Sequence, residues 1–212
     1  MGKHQCLLCK NFTTKIYAFY KKRKFVYCDT CDVVSVPSEF HLSEKAEKER
    51  YLKHNNNVED IGYQSFVMPI VTHIKNKFSK TSDGLDFGAG TGPVIAKLLD
   101  QAGYNVTLYD PFFHPNKIVF KTQYNYIVCC EVIEHFNNPE KEFNLLKSLL
   151  KENGQLICKT SLLPDKHEFD NWFYKNDSTH VIFYTPKSLE WIKNNIGFKY
   201  LKILKEYLIF SN

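Results

Sequence analysis

The sequence predicts an α/β protein in which a mostly parallel sheet is covered by helices and closed by a C-terminal antiparallel hairpin, with a small metal-bound ribbon in front. Three observations carry this reading. Two Cys-x-x-Cys pairs, Cys6/Cys9 and Cys28/Cys31, stand 18 residues apart. From Asp83 onward, short apolar runs alternate with helical stretches, the pattern of a parallel sheet with crossover helices. The last two β-rich runs are separated only by Lys205-Glu206, which leaves no room for a crossover, so they pair antiparallel.

The elements follow in order. Lys15–Tyr20 and Lys24–Cys28 are β-rich and meet at Lys21-Lys22-Arg23, a hairpin that brings the two cysteine pairs together. The spacing matches a four-cysteine zinc ribbon, and so short a segment buries too little apolar surface to fold without the metal. Two disulfides or loose thiols are the competing readings. An odd total of seven cysteines and the absence of an apolar leader weigh against disulfides. Ser43 can cap a helix over 44–55, and Asp60 opens a second with Tyr63, Phe66, Val67, Ile70, Val71, Ile74 and Phe78 on its apolar face. Strand Leu85–Phe87 enters a Gly-rich turn followed by helix Pro93–Asp100. Strands Asn105–Tyr109 and Tyr126–Cys130 come next, then helix Pro139–Lys151 and strand Gln155–Lys159. Thr185-Pro186 starts a helix through Asn194, and Phe198–Leu204 and Tyr207–Phe210 form the hairpin. The expected division is a ribbon over 1–36, a helical linker or lid over 37–80 and the α/β domain over 81–212.

With 43% hydrophobic, 24% charged and 15% aromatic residues, the 212-residue chain has ordinary globular composition, which excludes wholesale disorder. No apolar run approaches the ~20 residues needed to span a bilayer, so a cytoplasmic protein with no membrane partner is expected. Net charge is +5, but residues 1–31 carry +6 and the remainder −1. A basic ribbon can contact nucleic acid or simply solubilise a tight hairpin, and the sequence favours neither.

The stretch Asp86-Phe87-Gly88-Ala89-Gly90-Thr91-Gly92-Pro93 is the most informative. Alternate glycines let backbone amides approach a ligand where a helix N-terminus favours negative charge. Asp110 ends the next strand, placed for a ribose diol. These features fit a dinucleotide or S-adenosylmethionine (SAM). The Gly-x-Gly-x-Gly-Pro spacing favours SAM, as does Asp86, which could hold a cationic amino group.

Here the chain resembles the class I SAM-dependent methyltransferases, with their Rossmann-like fold. Leu85–Gly92 is similar to their first motif and Leu108-Tyr109-Asp110 to the ribose-binding strand end. Tyr126–His135 and Asn153-Gly154-Gln155-Leu156 are similar to the segments at the fourth and fifth strands. A narrower resemblance is to a bacterial group of unassigned substrate, which begins with a four-cysteine knuckle and carries the Asp110-Pro111-Phe112-Phe113 element. The resemblance implies cofactor binding by Asp86, Gly88, Ala89, Gly90, Gly92, Asp110, Pro111, Phe112 and Glu131. It also implies structural zinc on Cys6, Cys9, Cys28 and Cys31. Only 15 residues separate Asp110 from Tyr126, too few for the family's usual helix and strand, so Phe112 or Phe113 is expected to contact adenine.

Methyl transfer is an in-line displacement that needs a positioned nucleophile, excluded water and a base for a hydroxyl acceptor. His135, Glu134 and His180 are the candidate bases. If 131–135 is helical, Glu131, Glu134 and His135 share a face. With His180 they would then form a set for a second divalent metal. That arrangement resembles small-RNA 3′-terminal 2′-O-methyltransferases, and Glu-x-x-Glu-His resembles quinone-pathway O-methyltransferases. Metal-free class I enzymes also carry Glu-His there, so both versions stay open. Trp172, Phe173 and Tyr174 are expected either to pack as a lid or to touch the acceptor. The leading reading is transfer of a methyl group from SAM to a hydroxyl oxygen of a small molecule. The alternatives are an RNA ribose 2′-O acceptor, a SAM-binding or zinc-ribbon interaction module without turnover, and, more remotely, an NAD-dependent oxidoreductase.

Overall fold

The computed structural model describes residues 3–53 and 57–212. Two short strands, β1 (His4–Gln5) and β2 (Phe12–Thr13), pair around the first cysteine knuckle. The hairpin β3 (Ile16–Tyr20) and β4 (Arg23–Cys28) turns at Lys21, whose φ of 51° is left-handed. β5 (Val33–Ser35) follows on β4. Helix α1 (Glu44–Leu52) starts at Ser43, whose hydroxyl accepts from the Ala46 N–H. Its expected end at Asn55 lies outside the described residues. Helix α2 (Ile61–Lys77) is capped by Asp60. Of its expected apolar face, Val67, Ile70, Val71 and Ile74 are buried, whereas Phe66 stays half exposed beneath the Lys159 ammonium, 4.1 Å from its ring centre.

The α/β part comprises β6 (Gly84–Phe87), α3 (Val94–Gln101), β7 (Val106–Tyr109), β8 (Tyr124–Cys130), α4 (Pro139–Ser148) and β9 (Leu150–Lys159). It continues with β10 (Ile182–Phe183), α5 (Pro186–Ile192), β11 (Tyr200–Ile203) and β12 (Leu208–Ser211). Six strands form the central sheet in the order β11-β12-β9-β8-β6-β7. β7, β6, β8 and β9 run parallel, and β12 and β11 close the sheet as an antiparallel hairpin. The short stretch after Asp110 holds only a turn and a 3-10 segment over Lys117–Lys121, so β7 remains an edge.

Strand alternation builds two cores. Tyr126 and Val128 of β8 with Ile157 of β9 pack under α2 and α3. Ile127 and Cys129 with Leu156 and Cys158 point to the opposite face, under α4 and α5. Cys6, Leu8, Cys28, Cys31 and Val33 join that second core, so the ribbon lies against the sheet's helical layer. The ribbon sheet is also completed from far along the chain. Its order is β10-β5-β4-β3, with Ile182 opposite Ser35 and Phe183 opposite Val34. Ribbon and α/β segment therefore share one hydrogen-bonded sheet. Among the described residues, no helix is long and apolar enough to cross a membrane.

Candidate active site

Strand order reverses around β6, with β7 on one side and β8 on the other, and such a switch point leaves a crevice beyond the strand ends. A cavity of about 950 Å³ opens there. Its wall takes Phe87 to Gly90 from the end of β6, Tyr109 to Phe113 after β7, and Cys130 to Val132 after β8. Tyr51 of α1 and the segment around Phe173 to His180 cover it from the other side.

The Gly-rich turn is held by its neighbour strand. The Gly88 and Ala89 N–H groups both donate to the Tyr109 carbonyl, at 2.8 and 3.0 Å. Gly88 has φ +85°, and a Cβ there would lie 2.4 Å from Val132 Cγ2. Gly88→Ala adds left-handed strain to overpacking, so it should cost about 2–5 kcal/mol, read as a lower thermal midpoint. The Asp110 carboxylate organises both loops. One oxygen accepts from the Gly90 N–H at 3.1 Å, and the other from Phe112 and Phe113 at 2.8 and 3.0 Å. A carboxylate has about four acceptor positions, so about one remains for a ligand hydroxyl.

Two residues expected at the cofactor lie behind the cavity wall. Strand alternation turns Asp86 toward α3, near the Ala96 N–H, and burial raises its carboxyl to about 7. Gly92 caps the start of α3 through its carbonyl, which accepts from Val94. Gly88, Ala89, Gly90, Asp110, Pro111, Phe112 and Glu131 do line the cavity.

After β8 the expected helix is replaced by one 3-10 turn over Ile133–His135, and Glu131 adopts a left-handed φ of 55°. The helical spacing from Glu131 is thereby lost, although its carboxyl stays near Glu134 and Tyr174. Glu134, His135 and His180 converge without it, with one ligand atom from each within 4.8 Å of the others. The His135 and His180 rings meet edge to face at 4.8 Å. Their Nδ1 atoms lie against backbone carbonyls, His135 on Thr179 at 3.0 Å and His180 on Tyr174 at 2.8 Å. With both Nδ1 atoms as donors, both Nε2 atoms are left as acceptors. The Tyr174 hydroxyl donates to Glu134 Oε1 at 2.5 Å, and His135 Nε2 lies 3.7 Å from the same oxygen. Glu134 Oε2 is buried with no hydrogen-bond partner among the described residues. Burial sets the electrostatics. It raises Glu134 to about 7 and, with help from Glu134, raises Glu131 to about 8. It lowers His135 below its ordinary range and takes His180, beside His135, down to about 3.

Of the aromatic trio, Trp172 packs against Phe183, Tyr174 meets Glu134, and Phe173 is 72% exposed on the cavity rim. Sequence reasoning missed three contributors. Tyr51 packs on Phe112 and His135, Arg50 pairs with Asp177 at 2.7 Å, and Arg23 reaches from the ribbon to the 175–180 loop. A tyrosine and two arginines in unremarkable contexts gave no local signal.

The ribbon cysteines form a second cluster. Cys6 and Cys31 sulfurs are 3.5 Å apart, as are Cys9 and Cys28, and all four lie within 4.8 Å. A tetrahedral metal with sulfurs at 2.3 Å separates them by about 3.8 Å, so the set fits. Backbone N–H groups of Leu8 and Cys9 point at the Cys6 sulfur and that of Asn11 at Cys9, an arrangement suited to thiolates. None of the cysteines is in a disulfide.

Comparison with known proteins decides the class. The profile described as "Methyltransferase domain" matches residues 61–203, more than half the chain. The chain belongs to the methyltransferase domain family. A search of curated proteins returned no match. Solved structures share the fold of this methyltransferase at low identity. A SAM-dependent methyltransferase from Archaeoglobus fulgidus superposes with TM-score 0.54 at 13% identity, over 79% of this chain and 99% of that one. The 1,6-didemethyltoxoflavin-N1-methyltransferase of Burkholderia thailandensis, solved with its substrate and S-adenosylhomocysteine, gives 0.53 at 13% identity, over 93% and 98%. An O-methyltransferase family protein from the same organism gives 0.51 at 11% identity over 78% of this chain, which spans 61% of that protein's length.

Proposed function

We propose that this methyltransferase transfers the methyl group of SAM to a hydroxyl oxygen of a small molecule. SAM is assigned to Gly88, Ala89, Gly90 and Asp110, with Pro111, Phe112 and Glu131 beside it. His135 Nε2 is the base for the acceptor proton, Glu134 stabilises the imidazolium, and His180 fixes the pair. The observation that carries this reading is the convergence of Glu134, His135 and His180 beside the cavity that holds the Gly-rich turn. The unpartnered Glu134 Oε2 favours one variant, in which Glu134, His135 and His180 hold a divalent cation that would polarise the acceptor hydroxyl. The four ribbon cysteines are assigned to structural zinc.

An RNA acceptor is less well supported, because three of the ribbon's seven cations already have partners within the chain. Lys15 pairs with Asp29, Lys10 donates to Leu7 and Asn138, and Arg23 is turned into the 175–180 loop. The test is incubation with labelled SAM and cell extract separated into small molecules and RNA, with and without EDTA. Label is expected in the small-molecule fraction. Label in RNA overturns the acceptor, and no label in either fraction favours a binding module. Loss with EDTA and recovery with Mn²⁺ or Mg²⁺ selects the metal variant.

Asp110→Ala removes the acceptor for three loop amides together with the position left for a ribose hydroxyl. SAM affinity should fall by about 1.5–3 kcal/mol, roughly 10–150-fold, measured by calorimetry. Unchanged affinity would mean that the ribose is held elsewhere.

A further inference from the structure

His180 sits on a stretch with almost no regular structure, the 3-10 turn Phe173–Asn176 followed by Asp177 to His180, yet it is buried to 7% exposure. Something must fix this loop, and much of the fixing comes from the ribbon. Arg23, the first residue of β4, donates through one terminal nitrogen to the Asp177 carbonyl at 2.7 Å and the Lys175 carbonyl at 3.4 Å. Its other terminal nitrogen donates to the His180 carbonyl. The guanidinium stays in register because its central carbon lies 5.3 Å from the centre of the Phe25 ring. Beside it Lys175, 2% exposed, sets its ammonium 4.3 Å from the centre of the Tyr20 ring. The backbone continues the connection. The Val36 N–H donates to the Val181 carbonyl at 2.8 Å, and the Val181 N–H donates to the Glu134 carbonyl at 2.9 Å. The stretch that follows His180 is thus bound between the ribbon and the 3-10 turn that carries Glu134 and His135.

We propose that Arg23 is a positioning residue for methyl transfer, holding the carbonyls of Lys175, Asp177 and His180 so that the His180 ring stands against His135. The cysteine ribbon then supports the acceptor site from behind, through the loop that carries His180. The inference rests on the reading that His180 serves the acceptor. Arginine suits the task because a planar fork with five donors can serve three converging carbonyls at once, whereas a lysine ammonium is a point charge. Lys21 and Lys22, at the exposed turn of the same hairpin, have no such contact with the loop among the described residues.

The experiment compares Arg23→Gln, Arg23→Lys and the control Lys22→Gln in the full zinc-loaded chain, with three readouts. The first is the imidazole ¹⁵N–¹H signal of His180, whose Nδ1–H faces the Tyr174 carbonyl. The second is S-adenosylhomocysteine affinity by calorimetry. The third is transfer of label from saturating SAM to the accepting extract fraction. Arg23→Gln is expected to lose the slowly exchanging His180 signal and to transfer about 10–100-fold more slowly, with cofactor affinity unchanged. Arg23→Lys should recover part of both, and Lys22→Gln should match the unmutated protein. An unchanged His180 signal in Arg23→Gln overturns the proposal. A lost signal with undiminished transfer overturns the catalytic purpose of the clamp and the role given to His180, while the holding contact stands. If Arg23→Gln does not fold, Arg23→Lys carries the same comparison.

Discussion

Cys28→Ser protein should purify without the equivalent of zinc expected in the unmutated chain, and it should melt about 6–20 °C lower. The reason is where the ribbon sits. Cys6, Leu8, Cys28, Cys31 and Val33 are part of the same buried cluster as Leu85, Ile127 and Leu156 of the central sheet. Structural zinc contributes roughly 10–16 kcal/mol of binding free energy, comparable with the whole stability of a domain. The ribbon's buried aromatics, such as Phe25 on Phe169 and Phe183, pack on the hairpin side, so the two cysteine knuckles themselves depend on the metal and come apart without it. β5 then no longer pairs with β10, and Thr185 loses the Asp32 oxygens that its hydroxyl binds at 2.6 and 2.9 Å. If the sheet survives, the melting shift is a loss of about 3–5 kcal/mol at roughly 2–4 °C per kcal/mol for a chain of this size. Elemental analysis of protein purified without added metal is the direct check. No zinc in the unmutated chain, or zinc retained by Cys28→Ser, would sink the assignment.

Much of this was legible in the sequence where one local rule dominates. Continuous apolar runs such as Tyr126–Cys130 gave the buried strands, Asp60 and Thr185 gave helix starts, and two residues between the last β runs gave the hairpin. The Gly-rich turn announced a ligand site because Gly88 and Gly90, at φ +85° and +60°, occupy backbone regions other residues avoid. Other placements need more than one local rule. The spacing sets Asp86 two residues before Gly88, while the pleat decides which face of the sheet it takes. Glu131 was placed by helical spacing, and a left-handed residue followed by a 3-10 turn broke that spacing. Arg23 looked like turn charge because its three carbonyl partners lie more than 150 residues away. Contacts at that separation leave no periodic trace in the chain. The convergence of His180 on Glu134 and His135 was foreseen only because parallel strands gather the loops at their carboxyl ends.

Replacing His135 or His180 by Gln should lower turnover by about 10²–10⁴-fold with S-adenosylhomocysteine affinity unchanged, whereas a merely packed surface histidine would change it little. Both imidazoles are neutral at pH 7, since burial holds His135 below its ordinary value and takes His180 to about 3. Neither limits the rate near neutrality. Glu134 does, because burial raises its carboxyl to about 7 and only the ionised form stabilises an imidazolium on His135. Turnover should therefore rise with pH through about 7, and Glu134→Gln should flatten that rise at a rate about 10–100-fold lower. Stability must move the opposite way. The unfolded carboxyl ionises near 4.5 and the folded one near 7, so the folded state favours the proton. That stabilisation is whole below about pH 4.5 and is lost as pH climbs to about 7. Above pH 7 a buried charge is carried at a cost on the order of 3 kcal/mol. Glu134→Gln, neutral at every pH, should melt higher than the unmutated chain at pH 8 and close to it at pH 4. Paired melting and transfer measurements at the two pH values make the check. A variant that is slower yet more stable at pH 8 would mark Glu134 as a group kept charged for chemistry, and equal melting at both pH values would remove it from the mechanism.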